Sequence, residues 1–326
     1  MSSPLLEVQG LKKFFNVANS GVLHAVDNVS FTINEGETLG IVGESGCGKS
    51  TLGRAILRLH EPTAGKVIYN GMDITSFDKE EMRKMRQHMQ IIFQDPYASL
   101  NPRFTISQII EEPLKLHKLY KSDAERKKRV QELMELVGLS PAMANLYPHE
   151  FDGGRRQRVV IARALSINPK FVVCDEPVSA LDVSVQAQIL NLMMELQHKL
   201  GLTYIFISHD LSVIKHISND IGVMYLGQMI EKTTKKNIFN RPLHPYTVAL
   251  LSAIPSTNVL EKKKKIILKG EISSPINPKP GCRFSPRCPF AEDICRQVNP
   301  ELKEVEENHF VACHRCKEMM NGSLHF

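Results

Sequence analysis

The nine residues GESGCGKST, Gly43 to Thr51, decide how the rest of the chain is read. They fit the pattern G-x-x-x-x-G-K-[ST], and they stand in the context that gives this pattern a physical meaning. The apolar run TLGIV precedes them, and Leu52, Ala55, Ile56 and Leu59 follow at helical spacing. A strand, a glycine-rich turn and a helix in succession make a phosphate cradle. Glycine lets the backbone wrap closely, and amide N–H groups and the helix dipole attract the anion. Lys49 is expected to reach the β- and γ-phosphates and Ser50 to hold Mg²⁺, while Glu44, Ser45, Gly46, Cys47, Gly48 and Thr51 complete the ATP-binding loop. Cys47 lies at a helix N-terminus, where thiol pKa values fall, although a small space-filling residue is the plainer reading.

FVVCDEP, Phe171 to Pro177, supplies a second half. Four apolar residues predict a buried strand, and Asp175 leaves its C-terminal end, where α/β ligands bind. Asp175 is expected to act on Mg²⁺, and Glu176 to polarise the attacking water as general base. Phosphoryl transfer needs mainly positioning and charge neutralisation. Gln94, in FQDP, fits as a sensor of Mg²⁺ or water, and His209, in ISHD, as a donor to the γ-phosphate.

Strand-like runs alternate with helical ones through VSFTI, ETLGIVG and KVIYNG, and again through FVVCDEP and TYIFISHD, which reads as an α/β core. A mainly helical stretch, about 95–165, is read as an insertion. After Asn240 prolines punctuate a loop-rich tail. The expected division is a nucleotide-binding domain over 1–240 and an extension over 241–326. A chain of 326 residues with 42% hydrophobic content supports packed cores, and no run of 18 apolar residues predicts a membrane span. The start MSSPLLEVQG has neither the charged nor the apolar region of a secretion signal, so a cytosolic setting is expected. The formal charge of +6 is modest and lacks the basic-aromatic pattern of a nucleic-acid module. Lys262 to Lys265 reads as a solvated linker with a weak attraction to anionic lipid.

Five of the seven cysteines fall between 282 and 316. Cys282, Cys288, Cys295 and Cys313 follow C-x5-C-x6-C-x17-C, with Cys316 and His314 beside them. Four thiolates suit a [4Fe–4S] cluster or a tetrahedral Zn²⁺, and spacing alone does not choose.

In order along the chain, Gly43–Thr51, Gln94, Phe151–Arg155, Phe171–Glu176, Ser179–Asp182 and His209 resemble the Walker A, Q-loop, signature, Walker B, D-loop and H-loop of ABC transporter ATPases. The phrases FQDPYASLNP, RPLHPYTVALLSAIP and GCRFSPRCPFA narrow the likeness to dipeptide/oligopeptide importers and their nickel-importing relatives. GVLHAVDNVSF and KSTLGRAILRL resemble the F-type of the two ATPase subunits in such importers. The resemblance implies a RecA-like P-loop ABC ATPase core with an inserted helical subdomain and a cysteine-containing extension. It implies adenine stacking on Phe15, with Phe14 the neighbouring candidate, and it favours [4Fe–4S] at the cysteines. It also implies a second, different ATPase subunit, two transmembrane permease subunits docked near Tyr97 to Phe104, an external solute-binding protein, and a place on the cytoplasmic face of the membrane. In the sandwich of two ATPases, Asp152, Gly153, Gly154 and Arg155 would face the partner's ATP, with the D-loop's Asp182 nearby.

At that signature the family pattern is close to SGGQ, and this chain has DGGR. A carboxylate about 4 Å from each like charge costs roughly 4 kcal/mol at an effective dielectric of 20. Arg155, one helical turn on, is placed to offset it, and Asp equals Ser as a helix N-cap. An intact catalytic set beside an altered signature predicts an asymmetric pair of ATP sites. A mainly regulatory, ATP-binding role is the alternative.

Overall fold

The apolar runs become strands, and the polar and glycine-rich stretches between them become turns. The computed structural model describes residues 4–254, 266–268, 270 and 273–324. Lys262–Lys265 and the final two residues of NGSLHF lie outside the described residues. The strands are β1 (Leu6–Val17), β2 (Gly21–Ile33), β3 (Thr38–Val42), β4 (Ala64–Tyr69), β5 (Met72–Asp73), β6 (Met89–Ile92), β7 (Phe171–Asp175), β8 (Thr203–Ile207), β9 (Asp220–Tyr225), β10 (Gln228–Thr234), β11 (Lys303–Glu306) and β12 (His309–Val311). The chain divides into two compact units, Met1–Ile33 with Thr38–Thr75 and Ser208–Phe326, and Asn34–Glu37 with Ser76–Ile207.

In the first unit β1 and β2 form a long antiparallel hairpin, paired from Leu6↔Ile33 to Val17↔Gly21 with register shifts between Val8 and Phe14. With β4 and β5 it makes an antiparallel sheet in the order β2-β1-β4-β5. Val29, Phe31 and Ile33 are buried, and the residues between them are exposed, the period-two pattern of a half-buried strand. β3 differs: all five residues of TLGIV are buried, as a strand covered on both faces requires. It runs parallel to β9, which continues antiparallel through β10 to β12 and β11. The helix Lys49–Ile56 leaves the turn after β3. Leu52, Ala55 and Ile56 are buried as their spacing predicts, but Leu59 is 44% exposed. The helix ends before Leu59 can join that face, because Arg58 takes a left-handed backbone at φ 49°.

A buried carboxylate is one of the ties between the tail and this unit. Glu231, on β10, accepts the N–H groups of Leu243 at 2.7 Å and His244 at 3.0 Å, and faces His309 Nε2 of β12 at 2.8 Å. His244 in turn caps the helix Pro245–Ser252, its Nδ1 accepting the N–H of Tyr246 at 3.1 Å. The phrase HPYT is thus a helix start, with a side-chain cap and a proline at the first position, where its missing N–H costs nothing.

The second unit holds a parallel sheet in the order β8-β7-β6. The helices Ile106–Leu116, Asp123–Leu136 and Gly153–Leu165 occupy the stretch expected to be helical. Two of them open on capping boxes, Thr105 with Gln108 and Ser122 with Glu125, which satisfy end N–H groups that have no partner within the helix. The helix Val183–Leu200 joins β7 to β8 and ends at Gly201 in a left-handed conformation.

Burial lowers the His244 imidazole from 6.5 to about 4. Between those values the unfolded chain holds a proton that the folded chain does not. The contribution is therefore intact above about pH 6.5 and is lost as pH falls towards 4. Chemical denaturation across this range is expected to show a falling midpoint that His244→Asn flattens, since Asn caps a helix without titrating.

Candidate nucleotide site

In the first unit the phosphate loop is closed by its own lysine. Lys49, 4% exposed, donates Nζ to the carbonyls of Gly43 at 2.9 Å and Glu44 at 3.0 Å. Gly48 sits at φ 102°, and a Cβ there would stand 2.0 Å from the carbonyl oxygen of Ala25, so only glycine fits. The N–H of Gly227 donates to Cys47 O at 2.8 Å and pins the loop from behind. Ser50 and Thr51 lie in the first helical turn, and Ser45 and Gly46 are exposed. Of the two readings of Cys47, the helix-N-terminus one does not hold: burial raises its pKa, and the charge of Lys49 offsets only part of that rise. The thiol is a buried, space-filling group.

Phe14 stacks on His24 with centroids 3.9 Å apart, and Phe15 meets His60 edge-on at 5.5 Å with Lys13 Nζ 4.7 Å from its centroid. Both phenylalanines are half-buried. His209 is exposed and precedes the helix Leu211–Ile217, whose cap Asp210 accepts the N–H of Ser212 at 2.7 Å.

The second unit carries the carboxylates. Asp175, 2% exposed, ends β7. Glu176 follows at φ 49°, a left-handed backbone unusual for a non-glycine residue. Its N–H is held by Ile207 O at 3.0 Å, and its carbonyl accepts the hydroxyl of Ser179 at 3.0 Å. Gln94 Nε2 donates to Glu176 Oε2 at 3.0 Å, so the structure joins two of the residues singled out as catalytic.

Asp152 is the N-cap of the helix Gly153–Leu165. Its Oδ1 accepts the N–H of Arg155 at 2.8 Å, and its Oδ2 lies 3.5 Å from Arg155 Nε. Capping and charge pairing therefore occur together. Both side chains are more than half exposed, so the ion pair contributes at most about 1 kcal/mol. Gly154 is needed for packing within the unit: a Cβ there would meet Val185 Cγ1 at 2.6 Å. Asp182 precedes the helix Val183–Leu200 without capping it by its side chain. Arg156 was not singled out in the sequence. Buried, it donates Nε to Pro148 O at 2.6 Å and lies 3.7 Å from the ring centroid of Tyr97, which is 63% exposed. Its spacing of three and four from Val159 and Val160, on the buried face, was the available signal.

Cys282, Cys288, Cys295 and Cys313 line one cavity of about 10 Å³ with Phe284 and Phe290. Burial pushes the Cys288 thiol up to about 11 and that of Cys313 up to about 12. Among the described residues no three His, Cys, Asp or Glu side chains are grouped closely enough to hold a metal ion as they stand.

The chain is similar to known proteins in both its parts. The family described as ABC transporter matches residues 26–179, and that described as Oligopeptide/dipeptide transporter, C-terminal region, matches 230–295. The oligopeptide transport ATP-binding protein AppF of Bacillus subtilis (strain 168) is 54% identical over 95% of this chain and 97% of its own. Among solved structures, the ATP-binding cassette MJ0796, a dimer in a post-hydrolysis state bound to ADP and Pi, is similar with a TM-score of 0.65. It is 31% identical and covers 71% of this chain and 98% of its own. The protein cbiO1 from Clostridium perfringens, part of the ABC transporter complex cbiONQ, has a TM-score of 0.65 and 26% identity over 76% of this chain and 94% of its own.

Replacing Gly154 by alanine is expected to destabilise the chain by about 1–3 kcal/mol, the cost of overpacking. Val185→Ala in the same background should recover part of that loss, as read from denaturation midpoints.

Proposed function

The chain belongs to the ATP-binding subunits of ABC transporters, and we propose that it hydrolyses MgATP to drive the import of peptides. Glu176 carries the hydrolytic part of this reading. A left-handed backbone at a non-glycine residue costs on the order of 1–3 kcal/mol and persists where its surroundings hold it, as at active sites. Here it presents a carboxylate that Gln94 orients. Glu176 accepts a proton from the attacking water; Lys49 and the loop amides neutralise phosphate charge; Ser50, Gln94 and Asp175 serve Mg²⁺; His209 donates to the γ-phosphate; Phe15 stacks on adenine. The match over 230–295 and the name of the Bacillus subtilis relative support peptides as cargo.

The working unit in this proposal is a heterodimer with a second ATPase subunit. It sits under two permease subunits on the cytoplasmic face of the membrane and is served by an external solute-binding protein. The DGGR signature supports asymmetry. Asp152 keeps the helix start but brings a carboxylate toward the ATP of the partner, so the site on this chain's own Walker motifs is the faster one.

We propose that the four cysteines hold a [4Fe–4S] cluster, as the family resemblance favours, with zinc the alternative. What supports a shared ligand is that Cys282, Cys288, Cys295 and Cys313 line one cavity. A bound cluster would cross-link a proline-rich segment through Cys282, Cys288, Cys295 and Cys313.

In the reconstituted complex, Glu176→Gln is expected to lower ATP turnover by about 10²-fold or more, and the equivalent change in the second ATPase by much less. Turnover that survives Glu176→Gln would assign this chain the regulatory role instead. Cys288→Ser should abolish the visible absorbance and iron content of the purified chain while ATPase persists. Zinc, without iron, in the unmutated protein would count against the cluster.

A further inference from the structure

Two side chains of the C-terminal segment reach the phosphate loop. Arg287 donates Nη1 to Glu44 Oε2 at 2.9 Å and Nη2 to Glu44 Oε1 at 3.1 Å, a two-point contact. The hydroxyl of Tyr246 accepts the N–H of the same Glu44 at 3.0 Å. Both anchors are themselves fixed. Tyr225, Tyr246 and Phe284 form a ring cluster with centroid separations of 4.8, 5.4 and 5.5 Å, and the Tyr225 hydroxyl is 3.4 Å from Arg287 Nη1. Arg283 donates to Leu226 O and pairs with Asp27. The Arg287 side chain is 10% exposed and that of Glu44 27%, so solvent screens this pair less than a surface pair.

The position of Glu44 makes the contact consequential. Its carbonyl, with that of Gly43, holds Lys49 Nζ. A carboxylate on a loop that binds a triphosphate is a like charge, and an unpaired one would repel the ligand it sits beside. A planar guanidinium suits this place because it neutralises the carboxylate and fixes its orientation through two parallel bonds, which an ammonium cannot do.

We propose that Arg287 is a positioning residue of the nucleotide site: it neutralises Glu44 and, with Tyr246, sets the phosphate loop, so that the C-terminal extension governs nucleotide affinity. The proposal rests on the reading of Gly43–Thr51 as that site. It requires no ligand at the cysteines.

The test is calorimetric binding of MgADP to the full-length chain. Arg287→Gln is expected to weaken binding about tenfold, equivalent to about 1.4 kcal/mol. Arg287→Lys, which keeps the charge but loses the fork, should fall between Arg287→Gln and the unmutated chain. The double variant Arg287→Gln with Glu44→Gln should return to within about threefold of the unmutated chain, because coupled partners are non-additive and no stray carboxylate remains. A merely structural arginine would give no such recovery. Unaltered binding by Arg287→Gln overturns the proposal, as does weak binding that Glu44→Gln does not restore. If Arg287→Gln alone fails to fold, the double variant decides, and affinity below about a tenth of the unmutated value overturns the idea. An unmutated chain that binds no MgADP sinks the nucleotide-site reading as well, which separates the two failures.

Discussion

A loop that holds phosphate through its own backbone must be held from behind, because a free glycine-rich turn has too many conformations to present its amides together. Most of the first unit can be understood from this requirement. β3 and the helix Lys49–Ile56 fix the two ends of the loop. Between them, Ala25 O closes on Gly48, the N–H of Gly227 takes the Cys47 carbonyl, and Tyr246 and Arg287 grip Glu44. These contacts come from a β2 residue, the β9–β10 turn, the HPYT helix and the cysteine-bearing segment. The C-terminal segment is therefore structurally part of the loop's support.

The second unit meets a different requirement. It must expose a carboxylate at the end of a fully buried strand without letting it wander. Phe171, Val172, Val173 and Cys174 anchor the strand by burial, each large apolar side chain contributing about 1.5–3 kcal/mol. The left-handed turn at Glu176 then redirects the chain, and bonds from Gln94, Ser179 and Ile207 hold it there. The signature helix is built with similar economy. Asp152 both caps it and pairs with Arg155, and Gly154 allows the close approach of Val185.

Much of the candidate site's local geometry was legible in the sequence. The phosphate loop, the Asp175–Glu176 pair and the capping role of Asp152 each depend on residues a few positions apart. Less was legible where an outcome depended on a neighbour distant in sequence. The spacing of Leu59 promised a buried face, but a left-handed turn at Arg58 released it. Cys47 left two readings open, and burial settled them in favour of a space-filling thiol over the local field of the helix. Arg156 reads as one more charge in RRQR, yet it is buried against Pro148 O and the Tyr97 ring.

By itself the sequence determined the α/β class, the glycine-rich turn between β3 and its helix, the carboxylate that follows β7 and a cysteine-rich tail, because strand periodicity, glycine placement and short motifs are set by near neighbours. Only the tertiary structure decided that four cysteines spread over 32 positions line one cavity and that Glu231 ties β10 to the HPYT helix and β12. It also decided that Arg287 meets Glu44 across 243 residues. The physical reason is the same in each case. A charge or a thiol carries no mark of its partner in the sequence, and only the packing of the chain selects which opposite charge, amide or sulfur lies within reach.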